Sequence, residues 1–261
     1  MILTFLKAGN PRQVGARPVV RVLTCSEFAR KRLGFEADEK QRLVLDSKSK
    51  MGILNCSRQW GKSTVTAVKA VHRAYCEKGR LVIVASPSGR QSREFLRKCK
   101  EFAKKLVIKP RGDGDNAVSL QFPNGSRIVG LPGKDDTVRG FSAASLVLID
   151  EAARVSEAMY DALSPTRAAS DGDLWLMSTP YGSQGFFWRT WKDGGADWER
   201  ISAPATECGR IKAEFLAGEL RSRGERRFAQ EYLCEFVDNG EGLFSRESVE
   251  GAMGDEDPLE V

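Results

Sequence analysis

The chain is organised around the stretch NCSRQWGKST, which runs from Asn55 to Thr64. An apolar run, 51–54, precedes it, and 65–75 follows with apolar residues at helical spacing. A strand, a turn ending in Gly-Lys-Ser and a helix form the order that a phosphate-binding loop requires. Backbone N–H groups and the helix N-terminus of such a loop face an anion, so the stretch predicts a site for nucleotide phosphates.

Two side chains of this loop have predicted contacts. Lys62 is expected to reach the outer phosphates, and Ser63 to offer its hydroxyl to a magnesium ion. Cys56 stands where the usual pattern, G-x-x-x-x-G-K-[ST], has a glycine. Because a Cβ restricts the backbone, we expect the first half of the loop to be shaped differently. An ordinary strand-to-helix turn is the alternative interpretation.

A second buried strand is predicted at Leu146–Ile149, and it ends in two acids, Asp150 and Glu151. Open α/β sheets bind ligands at the carboxyl ends of their strands. There Asp150 could hold magnesium, directly or through water, and Glu151 could orient and deprotonate a water in line with the γ-phosphate. The alternative is that the acids only cap the next helix. The phosphate loop upstream favours the catalytic interpretation.

A third buried strand, 174–177, ends in Ser178 and Thr179. If this strand neighbours the Asp150 strand, the two hydroxyls lie beside the phosphate site and could sense the γ-phosphate. An ordinary turn at the strand end is the alternative.

Two helices are predicted upstream of the loop. Ser26 could cap the first, which extends to Leu33 and is broken by Gly34, and Asp38 could cap the second. The second helix contains Gln41, whose amide could offer a donor and an acceptor to an adenine ring. A solvated helix residue is the alternative interpretation of Gln41.

The rest of the chain supplies further elements of an α/β sheet. A buried strand is predicted at 81–85, a β-hairpin around the Asn124-Gly125 turn, and a last strand at 198–202. Residues 109–115 are predicted to form a loop. The aromatic residues between 186 and 198 are expected to be core, with base stacking as the alternative.

The segment 90–107 has the periodicity of a two-faced helix. Its apolar stripe holds Phe95, Cys99, Phe102 and Leu106, and its basic stripe holds Arg93, Arg97, Lys100 and Lys104. A solvated surface is the first interpretation of the basic stripe. A surface that contacts phosphates or a neighbouring subunit is the alternative.

Length and composition limit the class of protein. The 261 residues, 41% of them apolar, can form one large α/β domain or a domain with a small appendage. A formal charge of +6 favours polyanionic partners. Six cysteines lie far apart without a C-x-x-C pair, which indicates reduced thiols in a cytoplasmic protein rather than a disulfide framework or a zinc site. No apolar run approaches the roughly 18 residues of a membrane span, so no membrane partner is expected.

The aspartate expected to hold magnesium is directly followed by a glutamate, and an extra strand lies between the loop strand and the acid strand. This arrangement is typical of motor ATPases, in which water is the nucleophile and needs a base. In its motifs the sequence resembles the large terminase subunits of tailed double-stranded DNA bacteriophages, which are genome-packaging motors. The resemblance runs from about Phe28 to Phe244. Its marks are Leu33-Gly-Phe with Asp38 and Gln41, the loop with its Arg58-Gln59 pair, Ala85-Ser-Pro-Ser with Gln91, Val138-Arg-Gly-Phe, residues 146–153, Met177-Ser-Thr-Pro and Gln230-Glu-Tyr-Leu-Cys-Glu-Phe.

The expected fold is an α/β P-loop NTPase of the ASCE type, a three-layer sandwich with a mostly parallel central sheet and a small C-terminal lid or linker region. Residues 1–24 would be a lead-in, 25–202 the ATPase core, 203–247 the lid or linker and 248–261 an acidic tail. Members of this family usually carry a second domain, a metal-dependent nuclease. We expect this chain to be the ATPase half only.

The resemblance also implies a set of nucleotide contacts. Gln41 would meet adenine, and Lys62 and Ser63 would hold the phosphates and the magnesium ion. Arg58 would approach the γ-phosphate as a catalytic group. The full set expected around the nucleotide is Gln41, Cys56, Ser57, Arg58, Gln59, Trp60, Gly61, Lys62, Ser63, Thr64, Ser178 and Thr179.

Further roles are implied for the acids and the strand tip. Asp150 would hold the metal with Ser63, and Glu151 would be the catalytic acid. Ser178 and Thr179 would form the coupling motif, which transmits the state of ATP hydrolysis to the part of the protein that grips DNA. An arginine from a neighbouring subunit would complete the site, and its candidates, in falling order, are Arg139, Arg111 and Arg93.

The implied cofactors are ATP and Mg²⁺. The implied partners are double-stranded DNA, further copies of the chain in a ring, the portal and a small terminase subunit. The expected location is the cytoplasm of the bacterial host cell, transiently at the procapsid portal. Two alternatives remain: a superfamily-2-like helicase or translocase core, and a nucleotide-dependent DNA-binding module without turnover.

Overall fold

The structure of the protein, a computed structural model, describes residues 23–108, 111–113, 116–133, 138 and 140–237. The predicted lead-in up to residue 22, the candidate Arg139 and the acidic tail lie outside these residues.

A mixed sheet of eight strands forms the centre of the described part. The strands are β1 (Met51–Cys56), β2 (Leu81–Ser86), β3 (Arg111–Asp113), β4 (Asn116–Gln121), β5 (Arg127–Pro132), β6 (Ala144–Asp150), β7 (Asp173–Ser178) and β8 (Trp198–Ala203). Their spatial order is β3-β4-β5-β2-β6-β7-β1-β8. From β5 to β8 all neighbours are parallel, and β3 and β4 pair antiparallel at one edge.

Helices pack on both faces of this sheet, except that the last two pack on each other in a small separate cluster. They are α1 (Cys25–Leu33), α2 (Glu39–Asp46), α3 (Lys62–Cys76), α4 (Gly89–Lys105), α5 (Glu157–Leu163), α6 (Gly185–Asp193), α7 (Ala213–Arg223) and α8 (Glu225–Tyr232), with 3-10 segments at Ala152–Arg154, Ser164–Ser170 and Ala205–Glu207. Alternate strand residues pack into two cores, one with α1–α4 and the other with α5 and α6. The three-layer α/β sandwich is therefore confirmed.

Local capping explains where the first two helices begin. The N-cap of α1 is Thr24, which forms a capping box with Glu27, so the prediction of Ser26 was wrong. Thr24 is the better cap because its capping box satisfies two backbone N–H donors. The backbone N–H and the hydroxyl of Ser26 instead donate to Asp46. Asp38 caps α2 as predicted, and Gln41 completes its capping box.

The predicted hairpin is confirmed, and the loop before it is shorter than predicted. β4 and β5 pair antiparallel across the Asn124-Gly125 turn, where Gly125 has a φ of 82°. Residues 111–113 were predicted as loop but form β3, because the hairpin strand β4 offers them an open edge for backbone pairing.

The helix α4 follows its predicted periodicity. The apolar stripe of Phe95, Cys99, Phe102 and Leu106 is buried, and the basic stripe of Arg93, Arg97, Lys100 and Lys104 is exposed. The aromatic region is mainly core, since Phe186, Phe187 and Trp198 are all buried. All six cysteines are free thiols. In the part of the chain that the structure describes, no helix has the length and apolar character to cross a membrane.

The position of β7 decides where the site forms. β7 lies between the loop strand β1 and the acid strand β6, whereas β2, which intervenes in sequence, lies beyond β6. The register pairs Asn55 with Ser178, and Asp150 with Met177. The ends of three parallel strands therefore lie side by side, and the loop, the strand tip and the acid pair share one edge of the sheet.

Candidate functional site

A cleft of about 480 Å³ opens at this carboxyl edge. Its walls come from segments that are far apart in sequence. The lining residues are Arg58, Gln59, Gly61, Lys62, Ser63, Thr64, Gln91, Lys98, Glu151, Arg154, Thr179, Pro180 and Glu231. The loop, the acid pair and the strand tip predicted from the sequence thus meet around one space.

The loop accepts Cys56 because its turn begins later. Cys56 is the last residue of β1, is fully buried and donates its thiol to the carbonyl of Ser178 at 3.8 Å. The left-handed backbone positions are Gln59, with a φ of 64°, and Gly61, with a φ of 99°. Glycine is therefore needed at position 61 and not at position 56. Burial raises the pKa of the Cys56 thiol far above its ordinary value, so the thiol stays neutral.

Lys62 and Glu151 form an ion pair across the cleft. Lys62 Nζ lies 2.8 Å from Glu151 Oε1, and both side chains are mostly buried. Burial acts to lower the pKa of Lys62, but neighbouring Cys56, Glu151 and Asp150 raise it, and the net pKa lies above its ordinary value. The lysine that should meet the phosphates is charged and is matched by the carboxylate that should activate water.

Ser63 and Asp150 form a second contact that suits a magnesium ion. Ser63 Oγ donates to Asp150 Oδ2 at 3.0 Å and lies 3.3 Å from Oδ1. Adjacent ligands of an octahedral Mg²⁺ lie about 2.9 Å apart, so these two oxygens fit neighbouring positions. Burial raises the pKa of Asp150, and a cation would restore its charged form.

No group of three or more His, Cys, Asp or Glu side chains among the described residues could hold a metal alone. Magnesium usually keeps several waters and takes the rest of its ligands from one or two protein groups and from phosphates. The sparse oxygen donors therefore fit magnesium better than a zinc-type site.

Gln41 supports the back of the loop. It is 3% exposed, so the alternative of a solvated helix residue was wrong. Its Oε1 accepts from the Asp38 backbone N–H, and its Nε2 donates to the Trp60 carbonyl at 3.2 Å. Arg210 donates to the same carbonyl at 2.7 Å and also pairs with Asp38. Gln41 thus ties α2 to the loop, and its contact with adenine stays a prediction.

Arg58 is held by the predicted lid or linker segment. Its backbone N–H donates to the Glu231 carbonyl at 3.0 Å, and its Nε lies 3.1 Å from Glu231 Oε2. Nearby, Asn55 Nδ2 donates to the Cys234 carbonyl at 2.8 Å. The end of α8 is therefore bonded directly to the phosphate loop. The segment around Glu231 belongs to the family resemblance of the sequence, but no role was predicted for this residue.

The two hydroxyls at the tip of β7 differ. Ser178 is fully buried and donates to the Thr179 carbonyl at 2.7 Å, so its hydroxyl is used locally. Thr179 lines the cleft, and its buried Oγ1 has no hydrogen-bond partner among the described residues. Of the predicted pair, Thr179 is the residue that offers an unused polar group to a ligand.

Several other predicted residues are not among those that line the cleft. Ser57 is fully buried, with its backbone N–H donating to the Ala203 carbonyl. Trp60 packs in the core. Among the arginines proposed to act on a neighbouring subunit, Arg93 lies exposed on α4 and Arg111 belongs to the edge strand β3. Which arginine completes the site stays a prediction.

Besides Pro180 and Glu231, three lining residues had no predicted role: Gln91, Lys98 and Arg154. Arg154 ends the 3-10 turn after Glu151, and its guanidinium lies 4.0 Å from the centroid of the Tyr181 ring. The three-residue spacing from Glu151 was the available signal for Arg154. For Lys98 the only signal was its spacing of seven from Gln91, which puts both on one side of α4.

The sequence of the chain matches a known protein family and curated relatives. A family model described as terminase large subunit, T4likevirus-type, N-terminal, matches residues 53–250. The large terminase subunit of Thermus virus P23-45 is 23% identical over 249 residues, covering 82% of this chain and 51% of that protein. The chain therefore spans about half the length of this curated relative.

Solved structures share the fold. The ATPase domain of the Thermus phage P74-26 large terminase superposes with a TM-score of 0.71 at 22% identity, covering 83% of this chain and 100% of that one. The large terminase of a thermophilic bacteriophage, solved in complex with ATP-gamma-S, gives a TM-score of 0.66 at 15% identity, covering 76% and 52%. At these identities the likeness establishes the fold.

Proposed function

The chain belongs to the T4likevirus-type family of terminase large subunits, as part of their N-terminal region, and we propose that it hydrolyses ATP with magnesium to move double-stranded DNA into a procapsid. The observation that carries this proposal is the meeting of four groups at one cleft. Lys62 and Ser63 begin the loop helix, Asp150 ends the acid strand β6, and Glu151 directly follows it.

The loop side of the cleft binds the triphosphate. Residues 61–64 present backbone N–H groups and the positive end of α3 to the phosphates. Ser63 and Asp150 hold magnesium, which, when bound, neutralises part of the charge on the phosphate oxygens. Gln41 keeps the loop in place through the Trp60 carbonyl.

Glu151 prepares the water for attack. Its carboxylate is paired with Lys62. Phosphates compete for the Lys62 ammonium, and an exchange of partners leaves Glu151 as the free base beside the γ-phosphate. Glu151 has a left-handed backbone, with a φ of 53°, and its N–H donates to Asp150 Oδ1 at 3.2 Å. This local strain holds base and metal ligand in a fixed relation.

The contacts around Arg58 and Thr179 can transmit a change in the bound nucleotide to α8. Arg58 is bonded to Glu231 of α8, and Gln230 of α8 accepts from the Gly182 backbone just beyond Thr179. A change at the γ-phosphate that moves either residue therefore moves α8. The coupled motion would drive DNA held elsewhere on the protein.

The partners proposed for this function are double-stranded DNA, a homo-oligomeric ring, the portal and a small terminase subunit, in the cytoplasm of the bacterial host cell. An arginine of a neighbouring copy (Arg139, Arg111 or Arg93) would complete the site. A superfamily-2-like helicase is not favoured, because the family match is to terminases. A binding module without turnover is the rival that experiment must exclude.

The test is ATP turnover with magnesium at rising protein concentration, with and without double-stranded DNA. We expect turnover per chain to rise with concentration, because a ring-completed site needs a neighbour. Binding of ATP with no turnover at any concentration would favour the binding module. Strand separation by the chain would favour the helicase.

A further inference from the structure

The nucleotide cleft has two cationic walls that differ in charge balance. The loop wall carries Arg58 and Lys62, and both are already matched by carboxylates. Lys62 Nζ lies 2.8 Å from Glu151, and Arg58 Nε lies 3.1 Å from Glu231. Before these ion pairs open, the loop wall offers an incoming triphosphate little net positive charge beyond its backbone N–H groups.

The far wall carries Lys98 and Arg154, which also line the cleft. Within the described residues neither side chain makes an ion pair with a carboxylate. The acids nearest to Lys98 along α4, Glu94 and Glu101, are both engaged by Arg97. The far wall therefore holds the two lining cations that remain unmatched.

We propose that Lys98 and Arg154 form a second phosphate-binding wall, which takes the outer phosphates of the nucleotide from the side opposite the loop. This proposal rests on the ATPase function proposed above. A magnesium-bound ATP carries a net charge of about −2, and two free cations on the far wall match it. They can attract the triphosphate while Lys62 and Arg58 still hold their carboxylates.

Arg154 is fixed in position by two contacts. Its backbone N–H donates to the Glu151 carbonyl at 2.8 Å, and its guanidinium carbon lies over the Tyr181 ring, 4.0 Å from the centroid. Tyr181 follows Thr179-Pro180, which lines the same cleft. Within the described residues the guanidinium N–H groups of Arg154 make no hydrogen bond, so they are available for phosphate oxygens.

Lys98 is aimed at the cleft by the helix that carries it. Gln91 and Lys98 lie two turns apart on α4 and both line the cleft, whereas the basic stripe of Arg93 and Lys100 lies on another side of the helix. The buried stripe of α4 fixes the rotation of the helix against α3. Lys98 therefore borders the same space as Lys62 and Ser63 of the loop, from a different helix.

The far wall predicts a preference for ATP over ADP. Its cations would contact the γ-phosphate, which ADP lacks, whereas the loop N–H groups serve phosphates common to both. The experiment measures the affinities of an ATP analogue with a γ-thiophosphate and of ADP by calorimetry, with magnesium present. The variants are Arg154→Ala, Lys98→Ala and Tyr181→Ala, with Tyr181→Phe as the conservative change that keeps the ring.

We expect Arg154→Ala and Lys98→Ala each to weaken analogue binding about five- to tenfold and to change ADP binding less than about twofold. Tyr181→Ala should lower the analogue-to-ADP preference in the same direction, and Tyr181→Phe should retain it. The matched control is Arg189→Ala, which removes an exposed guanidinium paired with Glu157 outside the cleft. Melting temperatures without nucleotide should stay unchanged in the far-wall variants, which separates a phosphate contact from a structural role.

The possible outcomes separate this proposal from the one on which it rests. Wild-type analogue-to-ADP preference in both Arg154→Ala and Lys98→Ala would overturn the far wall and leave the ATPase proposal intact. Nucleotide binding without turnover, with a lost preference in the variants, would support the far wall and remove the ATPase proposal. A wild-type chain that binds no nucleotide would overturn both.

Discussion

Lys62 Nζ lies 2.8 Å from Glu151 Oε1, so the lysine proposed to bind phosphate and the proposed base form an ion pair with each other. Glu151 is one of the neighbours that raise the pKa of Lys62 above its ordinary value. If Lys62 binds the triphosphate as proposed, the phosphates would compete with Glu151 for its ammonium group. The pair therefore links occupation of the phosphate site to release of the base.

Glu151→Gln should keep nucleotide affinity and lose turnover. The amide keeps the size of the side chain but cannot accept the proton, and removal of a general base typically costs about 10²- to 10⁴-fold in rate. Calorimetry of ADP binding and steady-state ATP turnover measure the two effects. Glu157→Gln is the control, because Glu157 pairs with Arg189 outside the cleft. Normal turnover by Glu151→Gln would remove Glu151 as the base.

Lys62→Ala should weaken nucleotide binding itself. The variant removes a charged contact to the phosphates, which is worth about tenfold or more in affinity. Lys50→Ala removes an exposed lysine paired with Asp171 and serves as the control. Calorimetry with ADP and with an ATP analogue checks the result. Equal affinities for wild type and Lys62→Ala would show that the loop does not bind phosphate.

The contact between Arg58 and Glu231 should couple the loop to α8. A double-mutant cycle of Arg58→Ala and Glu231→Gln, followed by urea unfolding, measures their interaction in the free energy of unfolding. Because half of the Arg58 side chain is exposed, we expect a coupling of about 0.2 to 1 kcal/mol. The same pairing predicts faster amide exchange in α8 of the Glu231→Gln variant. Additive free energies, with unchanged exchange, would mean that this contact transmits nothing.

The parts of the site that the sequence predicted are those with a local pattern. The loop around Lys62, the acid pair after Ile149 and the hydroxyls after Met177 each follow a buried strand, and strand ends of a parallel sheet share one edge. These three segments lie close together because β7 lies between β1 and β6 in the sheet. The order of the strands along the chain does not reveal that arrangement.

The residues that sequence reasoning missed reach the cleft by tertiary packing. Glu231 lies 173 positions after Arg58 and meets it only because α8 returns to the loop. Lys98 is one of several basic residues on α4, and only the rotation of the helix separates it from the exposed stripe. Periodicity distinguishes buried from exposed faces, but it does not show which exposed side borders a ligand site.

His72 should make the protein less stable in acid. It is the sole histidine of the chain, and its ring packs edge-on against Phe28. Burial lowers the pKa of His72 from 6.5 to about 4. The positive charges of Arg73 and Lys69 also lower this pKa, whereas the negative charge of Asp46 raises it. The folded state thus binds fewer protons than the unfolded chain in this window, and stability is lost as the pH falls from 6.5 towards 4.

Substitution His72→Gln should remove about 2 kcal/mol of the stability loss between about pH 7 and pH 4.5. Urea unfolding of both proteins at the two pH values measures the difference. A proton NMR titration of the single imidazole gives its pKa directly. A midpoint near the ordinary 6.5 in the folded protein would contradict the prediction.

The basic stripe of α4 is the described surface that we expect to contact DNA. Arg93, Lys100 and Lys104 are exposed, whereas Arg97 is neutralised by Glu94 and Glu101. The three free cations lie along one side of a single helix, where they can follow the phosphates of a duplex. A triple alanine variant should weaken binding to double-stranded DNA about tenfold and reduce the salt dependence of log K by about 2 to 3.

The matched control removes the same charge elsewhere. Arg30, Lys31 and Arg32 are exposed at the end of α1, and their triple alanine variant also loses three positive charges. If the α4 stripe binds phosphates directly, the α1 variant should lose much less affinity, since it changes only the overall field of the protein. Fluorescence anisotropy with a labelled duplex over a range of salt concentrations compares the two. Equal losses would assign the effect to net charge and leave α4 as a solvated surface.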